Sequence, residues 1–152
     1  MNDVDYEDYL EIAKIPKFCE NAEWHIEKSD DFIEYFIKDG TIDEDGASNG
    51  YIIDIIAQYS KKTGRITFRI GLFLNDIIYG HKRVYQIEIK KFKRKIKDKH
   101  LLPHEHCGNK RVDLQEEYDF DSAFKHFCNK TNVKFNPPII NPEERPEDFK
   151  LR

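Results

Sequence analysis

Residues 51–74, YIIDIIAQYSKKTGRITFRIGLFL, carry the clearest secondary-structure signal in the chain. Its two halves, residues 51–60 and 65–74, are rich in β-branched and aromatic side chains, and the KKTG sequence between them is typical of a hairpin turn. In the second half, every other residue is large and apolar, namely Ile66, Phe68, Ile70 and Leu72. The residues between them are Thr67, Arg69 and Gly71. Strict alternation predicts an antiparallel strand with one face buried.

The pattern of strands continues towards the C-terminus. Residues 83–92, RVYQIEIKKF, predict a third strand with Val84, Gln86 and Glu88 on one face and Arg83, Tyr85, Ile87 and Ile89 on the other. We expect residues 93–102 to form a fourth strand or an extended loop, and a short strand to follow around residues 104–114. Together these segments predict an antiparallel β-meander.

Helical spacing of apolar residues flanks the predicted meander on both sides. Residues 3–14 predict an N-terminal helix that is capped by Asp3 and ended by Pro16, and residues 120–130 predict a C-terminal helix capped by Asp121 or Asp119. Residues 23–38 are ambiguous: EWHIEK favours a strand, and DFIEYFIK fits a strand or a short helix. Residues 39–50 predict an acidic, turn-rich loop. The predicted fold class is α+β, an antiparallel β-meander flanked by an N-terminal and a C-terminal helix.

Length and composition predict one soluble domain. The chain has 152 residues, 39% hydrophobic and 36% charged, which suits a single α+β domain over residues 1–135 and a proline-rich tail over 136–152. The longest apolar stretch, residues 51–59, is too short to span a bilayer, so we expect no membrane association. Three widely spaced cysteines without a Cys-x-x-Cys pair favour a reducing compartment, and we predict a cytoplasmic protein.

Charge is distributed unevenly along the chain. Residues 81–111 hold 11 of the 25 Lys and Arg residues against three acids, a local formal charge of +8 in a protein of net charge −4, so the remainder carries −12. Residues 1–50 hold 15 acids against four lysines. A concentrated basic surface favours an anionic partner, most often a phosphate backbone. The acidic half could instead neutralise the basic segment internally, bind a second partner or mimic a phosphate backbone.

The basic residues that we expect to contact nucleic acid form one run along the chain: Lys82, Arg83, Lys90, Lys91, Lys93, Arg94, Lys95, Lys97 and Lys99. Three aromatic residues interleave with them and could stack on bases, namely Tyr79, Tyr85 and Phe92, although such residues are more often part of the core. The alternative is an edge strand whose lysines prevent aggregation. The number of like charges favours nucleic-acid contact.

The sharpest local motif is His104-Glu105-His106-Cys107-Gly108. In an extended segment His104 and His106 share one face, and like-charge repulsion in a basic setting lowers imidazole pKa values. One neutral and one protonated histidine could then deprotonate a ribose 2′-hydroxyl and protonate the leaving oxygen. Lys110 and Arg111 would stabilise the transition-state charge, so the four predicted catalytic residues are His104, His106, Lys110 and Arg111.

Two other interpretations of this motif stay open. The histidines could bind a metal ion with His100, Glu105 or Cys107, because His-x-His is a known pairing on strands. They could equally be polar residues of a loop or an edge strand with no chemical role. His25 and His126 lie beside aromatic residues and are assigned to packing. No Gly-rich phosphate loop or serine nucleophile elbow is present, so the sequence predicts no nucleotide cofactor.

The C-terminal half resembles a known family in the order of its motifs. The order is Tyr85-Gln86, a basic strand, Pro103-His104-x-His106 and Gly108; then come Glu117-Tyr118 and Phe120, with a helix that closes on Phe127-Cys128-Asn129. Over residues 51–135 this resembles small prokaryotic proteins related to the TumE-type toxins of toxin–antitoxin modules. The resemblance implies a toxin-like protein that acts on RNA, is neutralised by an antitoxin, and uses His104 and His106. The turn that some relatives carry before the histidines is replaced here by DKHLL.

The sequence therefore predicts an RNA-directed protein, a toxin-like ribonuclease that needs no metal. The alternative is a non-catalytic inhibitor or binding protein of phage or mobile-element type, which would occupy a nucleic-acid-processing complex through its basic strand or its acidic N-terminal surface. A metal-dependent hydrolase at the histidine pair is the third hypothesis. The expected partners are RNA or another nucleic acid and a protein, either an antitoxin or a target complex.

Overall fold

The computed structural model describes residues 2–76, 78, 80–91 and 103–144. Its α-helices are α1 (Tyr6–Lys14) and α2 (Phe120–Thr131), and a short 3-10 helix spans Pro142–Glu144. The strands are β1 (Lys17–Glu20), β2 (His25–Lys28), β3 (Phe32–Ile42), β4 (Ser48–Ser60), β5 (Ile66–Asp76), β6 (Gly80–Lys91), β7 (His104–Cys107), β8 (Lys110–Asp113) and β9 (Val133–Asn136).

All nine strands belong to one sheet, in the order β8-β7-β6-β5-β4-β3-β1-β9, with β2 paired to β3 beside this path. Every pairing is antiparallel except that of β1 with β9, which is parallel. Both helices lie on one face and pack on the centre of the sheet, α2 against β5 and β6 and α1 against β6 and α2. The predicted α+β class, an antiparallel sheet with an N-terminal and a C-terminal helix, is confirmed. In the described part of the chain neither helix is long and apolar enough to cross a bilayer.

The predicted hairpin is the centre of the sheet. β4 and β5 pair over nine residues, from Tyr51↔Leu74 to Tyr59↔Ile66. The alternating apolar residues of β5 that were predicted to be buried are all fully inaccessible to solvent: Ile66, Phe68, Ile70 and Leu72. Their face receives α2, whose Phe120 ring lies 5.4 Å from Phe68. The alternation in the sequence therefore identifies the helix-covered face correctly.

The face assignment of β6 is wrong for Arg83 and Val84. Leu72 pairs with Tyr85 but Phe73 pairs with Arg83, so Val84 is an extra residue in β6 and forms a β-bulge. A bulge reverses the alternation for the residues before it. Val84 is consequently buried in the core, and Arg83 lies on the opposite face, where its Nη1 donates to Gln86 Oε1 at 3.1 Å.

Three further segments complete the fold. The ambiguous residues 23–38 form β2 and most of β3, and no helix. α2 begins at a capping box in which Asp119 accepts from the Ser122 backbone at 2.8 Å, so Asp119 is the cap and not Asp121. Beyond the predicted helix, β9 was not foreseen. The residues after it lie against the domain, because Trp24 Nε1 donates to the Ile140 carbonyl at 2.7 Å.

A fully buried lysine joins the two helix ends. Lys17 Nζ donates to the carbonyls of Ile12, Ile15 and Thr131, each at 2.6 Å. These carbonyls belong to the C-terminal turns of α1 and α2, where helix dipoles favour a cation. Burial lowers the pKa of Lys17 to about 8. The ammonium thus gives a hydrogen-bond donor to three carbonyls, and the Ile12 carbonyl also accepts from the Ile15 N–H at 3.1 Å.

Candidate functional site

The His-x-His motif lies on β7, between β6 and β8. Its position is fixed at the turn after it, where Gly108 has a φ of +57° and donates its N–H to the Val84 carbonyl at 2.8 Å. A Cβ on Gly108 would lie 2.7 Å from the backbone oxygens of Val4 and Asp5, so only glycine fits against the N-terminal segment here. The same segment pairs with β6, since Val4 donates to the Arg83 carbonyl at 3.0 Å.

His104 and His106 point to the same side of the sheet, as the sequence predicts. Their rings are perpendicular, with centroids 5.1 Å apart and an interplanar angle of 88°. In the register of β6 and β7, His104 pairs with Glu88 and His106 with Gln86. We call the side of the sheet that carries these four residues the histidine face; it is opposite the face covered by α1 and α2. His104 is 8% exposed and His106 is more open, so a ligand on the histidine face meets His106 first.

His106 is neutral at physiological pH. Burial, the positive charge of Arg83 and the neighbouring His104 lower the pKa of His106 to about 4, although the Asp3 carboxylate opposes the shift. From the sequence we expected like-charge repulsion to lower the imidazole pKa, whereas in the structure burial is the largest cause of the low pKa of His106. A neutral imidazole can accept a proton, but with this pKa it does not carry one at pH 7.

Arg83 is the cation that the sequence alone does not place beside the histidines. The bulge at Val84 turns it onto the histidine face, where Nε and Nη2 form two hydrogen bonds with the Asp3 carboxylate, at 2.8 and 3.2 Å. Arg83 Nη1 makes a third hydrogen bond, to Gln86 Oε1, and the Arg83 side chain is 13% exposed. Arg83 therefore contributes charge to the site from a fixed position.

A concavity of about 350 Å³ lies on the histidine face beside the pair, across β4, β5 and β6. Its lining consists of Asp54, Ile56, Arg69, Phe73, Arg83, Gln86 and Glu88. Arg69 Nε donates to Glu88 Oε2 at 3.0 Å, and Arg69 and Lys90 hold the pKa of Glu88 below its usual range despite burial. Burial raises the pKa of Asp54, and the charges of Lys38 and His81 oppose the rise. The concavity thus combines apolar walls with both signs of charge.

Glu105, between the two histidines, faces the helices and forms a separate cluster. Its carboxylate, 4% exposed, accepts from Tyr85 Oη at 2.6 Å and from His126 Nε2 at 2.8 Å, and Lys130 Nζ lies 3.6 Å away. Burial alone would raise the pKa of Glu105, but these hydrogen bonds and the Lys130 charge hold it below its usual range. Sequence analysis missed this cluster and assigned His126 to packing. The available signal was the alternation on β7, which turns Glu105 away from the histidines.

The structure does not bring the four predicted catalytic residues together. Arg111 pairs with His106 across β7 and β8 and shares its face, where its charge helps to lower the His106 pKa. Lys110 pairs with Cys107 and lies on the opposite face, with Nζ 4.9 Å from the centre of the Tyr6 ring. His104, His106 and Arg111 are therefore one group, and Lys110 is separate from it.

The described members of the predicted basic run are each within ion-pair distance of a carboxylate. The pairs are Lys82–Asp76 at 3.8 Å, Arg83–Asp3 at 2.8 Å, Lys90–Glu88 at 3.3 Å and Lys91–Glu143 at 3.3 Å. Lys93, Arg94, Lys95, Lys97 and Lys99 lie outside the described residues, as do Tyr79, Phe92 and His100. Tyr85 is fully buried under α2, so it is a core residue and offers no face to a base.

The metal hypothesis loses two of its candidate ligands, because Glu105 and Cys107 face away from the histidine pair. Within residues 2–76, 78, 80–91 and 103–144, no group of three or more His, Cys, Asp or Glu side chains is arranged to hold a metal ion.

No family model, curated protein or solved structure matches this chain, so its function has to be argued from the residues themselves.

Proposed function

We propose that this chain is an RNA-directed protein that cleaves single-stranded RNA at the histidine face without a metal ion. The observation that carries the proposal is the contact between His104 and His106, whose rings meet at 5.1 Å on the side of the sheet not covered by helices. Two adjacent imidazoles and a nearby guanidinium are the groups that an acid–base cleavage of RNA requires.

In the proposed reaction, neutral His106 accepts the proton of a ribose 2′-hydroxyl. The 2′-oxygen attacks the adjacent phosphorus, the bond from phosphorus to the 5′-oxygen breaks, and His104 donates a proton to that leaving oxygen. Arg111, on the same face as His106, stabilises the charge of the phosphorane. The products are a 2′,3′-cyclic phosphate and a 5′-hydroxyl. Because the pKa of His106 is about 4, it is a weak base and we expect slow turnover. Lys110, on the other face, has no part in this reaction.

The surrounding charge supports RNA as the substrate class. β6 ends at Lys91, three residues after Glu88, which is the cross-strand partner of His104, and β7 begins at His104. The connection between β6 and β7 contains five of the predicted phosphate contacts, Lys93, Arg94, Lys95, Lys97 and Lys99. Five cations within one short connection of the sequence favour a phosphate backbone over a small neutral substrate as the partner. A toxin-like role with an antitoxin partner is part of the proposal and follows from the resemblance alone, whereas the proposed cytoplasmic location follows from the cysteine pattern.

The test is incubation of the purified protein with end-labelled single-stranded RNA in the presence of EDTA. We expect cleavage with 2′,3′-cyclic phosphate ends, abolished by His106→Ala and by His104→Ala. His25→Ala is the matched control, because His25 is an exposed histidine of the same sheet, stacked on Phe36. Cleavage that stops in EDTA, or that survives both variants, would contradict the proposed chemistry.

A second candidate, a non-catalytic binding protein, is favoured by a specific observation. The described residues of the predicted basic run, Lys82, Arg83, Lys90 and Lys91, are each within ion-pair distance of a carboxylate. In contrast, Asp43, Glu44 and Asp45 form an acidic turn between β3 and β4 on which Glu44 and Asp45 are exposed. Such a protein would occupy a nucleic-acid-processing complex through its acidic surface or its basic strand. RNA affinity without cleavage, equal in wild type and His106→Ala, would support this candidate over the ribonuclease.

A further inference from the structure

Asp54 is a carboxylate of the histidine face that lies beside Lys38, its cross-strand partner on β3, and within reach of the charge of His81. It lies on β4, half-buried on the histidine face, and lines the concavity of about 350 Å³. No described side chain donates a hydrogen bond to it or forms an ion pair with it. The carboxylate oxygens are not among the buried atoms that lack a hydrogen-bond partner, so they are open to the concavity and can accept hydrogen bonds from a ligand there.

Arg69 provides the opposite kind of group beside it. Asp54 pairs with Gly71 and Ile56 with Arg69, so Asp54 and Arg69 are diagonal neighbours on adjacent strands, about 7–8 Å apart at their backbones. The Arg69 Nε is occupied by Glu88, but no described residue accepts from its two terminal nitrogens. The side chain is 42% exposed. The concavity therefore presents an unused acceptor and an unused pair of donors next to each other.

The floor between these two groups is flat and apolar. Gly71, between Asp54 and Gln86 in the register, has no side chain, and the Phe73 ring covers it: a Cβ on Gly71 would lie 2.8 Å from Phe73 Cε2. Ile56 contributes a second apolar wall. The volume of the concavity is at the lower end of the range of ligand sites, about 300–1,000 Å³. A planar ring with polar edges fits this combination better than an extended phosphate chain.

We propose that this concavity is a guanine-binding subsite, in which Asp54 accepts from the base N1–H and N2–H and Arg69 donates to its O6. Guanine is the base that presents two adjacent N–H donors next to a carbonyl acceptor, which matches a carboxylate beside a guanidinium. Adenine and the pyrimidines lack that pair of donors next to an acceptor. The subsite gives the open face of the sheet a preference among RNA sequences.

The subsite is separate from the proposed point of cleavage. Asp54 and His106 lie in one row of the sheet, Asp54–Gly71–Gln86–His106, which spans three strand spacings of about 4.8 Å each, or about 14 Å. The base that Asp54 holds therefore belongs to a nucleotide next to the one that is cleaved. Its role as a specificity site rests on the proposed function, whereas binding of the base itself does not.

The experiment is titration of the wild-type protein with GMP, AMP, CMP and UMP by isothermal calorimetry, with amide chemical shifts followed by NMR. We expect GMP to bind at least tenfold more tightly than the others and to shift the amides of Gly71 and Gln86. Asp54→Asn should reduce GMP affinity at least tenfold and remove the preference. Asp30→Asn, an exposed aspartate between β2 and β3, is the matched control and should change nothing.

Equal affinity for the four nucleotides, GMP shifts elsewhere on the protein, or unchanged GMP affinity in a folded Asp54→Asn variant would overturn the inference. Because mononucleotides are not cleaved, this result is independent of the ribonuclease assay. Specific GMP binding without RNA cleavage would leave the subsite standing and remove the proposed chemistry. RNA cleavage without specific GMP binding would support the proposed chemistry and overturn the guanine subsite.

Discussion

The carboxylate of Glu105 accepts a hydrogen bond of 2.8 Å from the imidazole of His126, and this contact ties β7 to α2. The same oxygen accepts from Tyr85 at 2.6 Å, so one buried carboxylate joins two strands and a helix. β7 consequently has two different sides: Glu105 anchors it on the helix-covered face, and His104 and His106 lie on the other. The histidines are held in place by a residue that does not touch them.

Replacement of Glu105 by glutamine should destabilise the fold. Glutamine keeps the shape but loses the charge that Tyr85, His126 and Lys130 surround, and we expect a loss of about 2 kcal/mol at pH 7 in chemical unfolding. Glu105 has a lowered folded-state pKa, so its contribution is present above the unfolded value of about 4.3 and is lost as pH falls through the folded value. The gap between wild type and Glu105→Gln should therefore close in acid. Glu116→Gln, exposed and without such contacts, should be neutral, and an equal effect of both variants would refute the assignment.

Replacement of Gly108 by alanine should loosen the N-terminal segment. A Cβ at this position meets the Val4 and Asp5 oxygens at 2.7 Å, and the residue has positive φ. Gly46→Ala is the control: Gly46 has a φ of +85°, but nothing lies within 4 Å of its added Cβ. The control should lose about 1 kcal/mol from backbone strain, and Gly108→Ala about 1–3 kcal/mol more from the clash. Faster hydrogen exchange at the Val4 amide would accompany the loss; identical stabilities would show that the contact is unimportant.

Removal of the Arg83 charge should raise the pKa of His106. Arg83 is the second cause of the low value, after burial, and without it only His104 and Arg111 remain as charges that oppose the effect of the Asp3 carboxylate on the imidazole. NMR titration of the imidazole nitrogens should show a pKa of about 4 in wild type and a higher value in Arg83→Gln. Lys62→Gln, an exposed cation on the β4–β5 turn, should leave the value unchanged. No change in Arg83→Gln would mean that the Arg83 charge does not contribute to the low pKa of His106.

Replacement of Lys17 by methionine should lower the stability of the fold and change how that stability depends on pH, because the buried ammonium is lost. Methionine removes one donor from each of three carbonyls, of which the Ile12 carbonyl keeps the Ile15 N–H, and we expect a loss of about 2–4 kcal/mol at pH 7. The folded-state pKa of about 8 lies below the ordinary value of 10.5, so the unfolded chain binds more protons between them. Stability from this group therefore rises with pH across that interval, by up to about 3 kcal/mol. The difference between wild type and Lys17→Met should widen from pH 8 to pH 10.5, and a constant difference would contradict the lowered pKa.

Local patterns were sufficient for much of the fold. The alternation of β5 identified its buried face, the spacing of Phe120, Phe124 and Phe127 identified α2, and the i, i+2 rule placed His104 and His106 together. In each case the signal lies within one element, and the physical cause is the repeat of that element. The ambiguity at residues 23–38 was resolved only by the pairing of β2 with β3 and of β3 with β4, which no local pattern contains.

Long-range contacts were not accessible in the same way. The bulge at Val84 depends on how β6 pairs with β5 and on the N-terminal segment beside it, and it moved Arg83 to the other face. The contact of Glu105 with His126 joins residues 21 positions apart in different elements. β9 pairs with β1 across more than 100 residues of sequence. A single sequence shows that Glu105 faces the helices, but not which helical residue it meets.

An RNA-directed function is tested by measuring the affinity of the protein for single-stranded RNA at a series of salt concentrations. If the basic segment contacts the phosphate backbone, log K should fall linearly with log salt, by about 0.7 for each phosphate contacted. We predict a slope steeper than about −3, which corresponds to more than four contacts. No binding at low salt, or binding that salt does not change, would contradict an RNA-directed function and point to a protein partner.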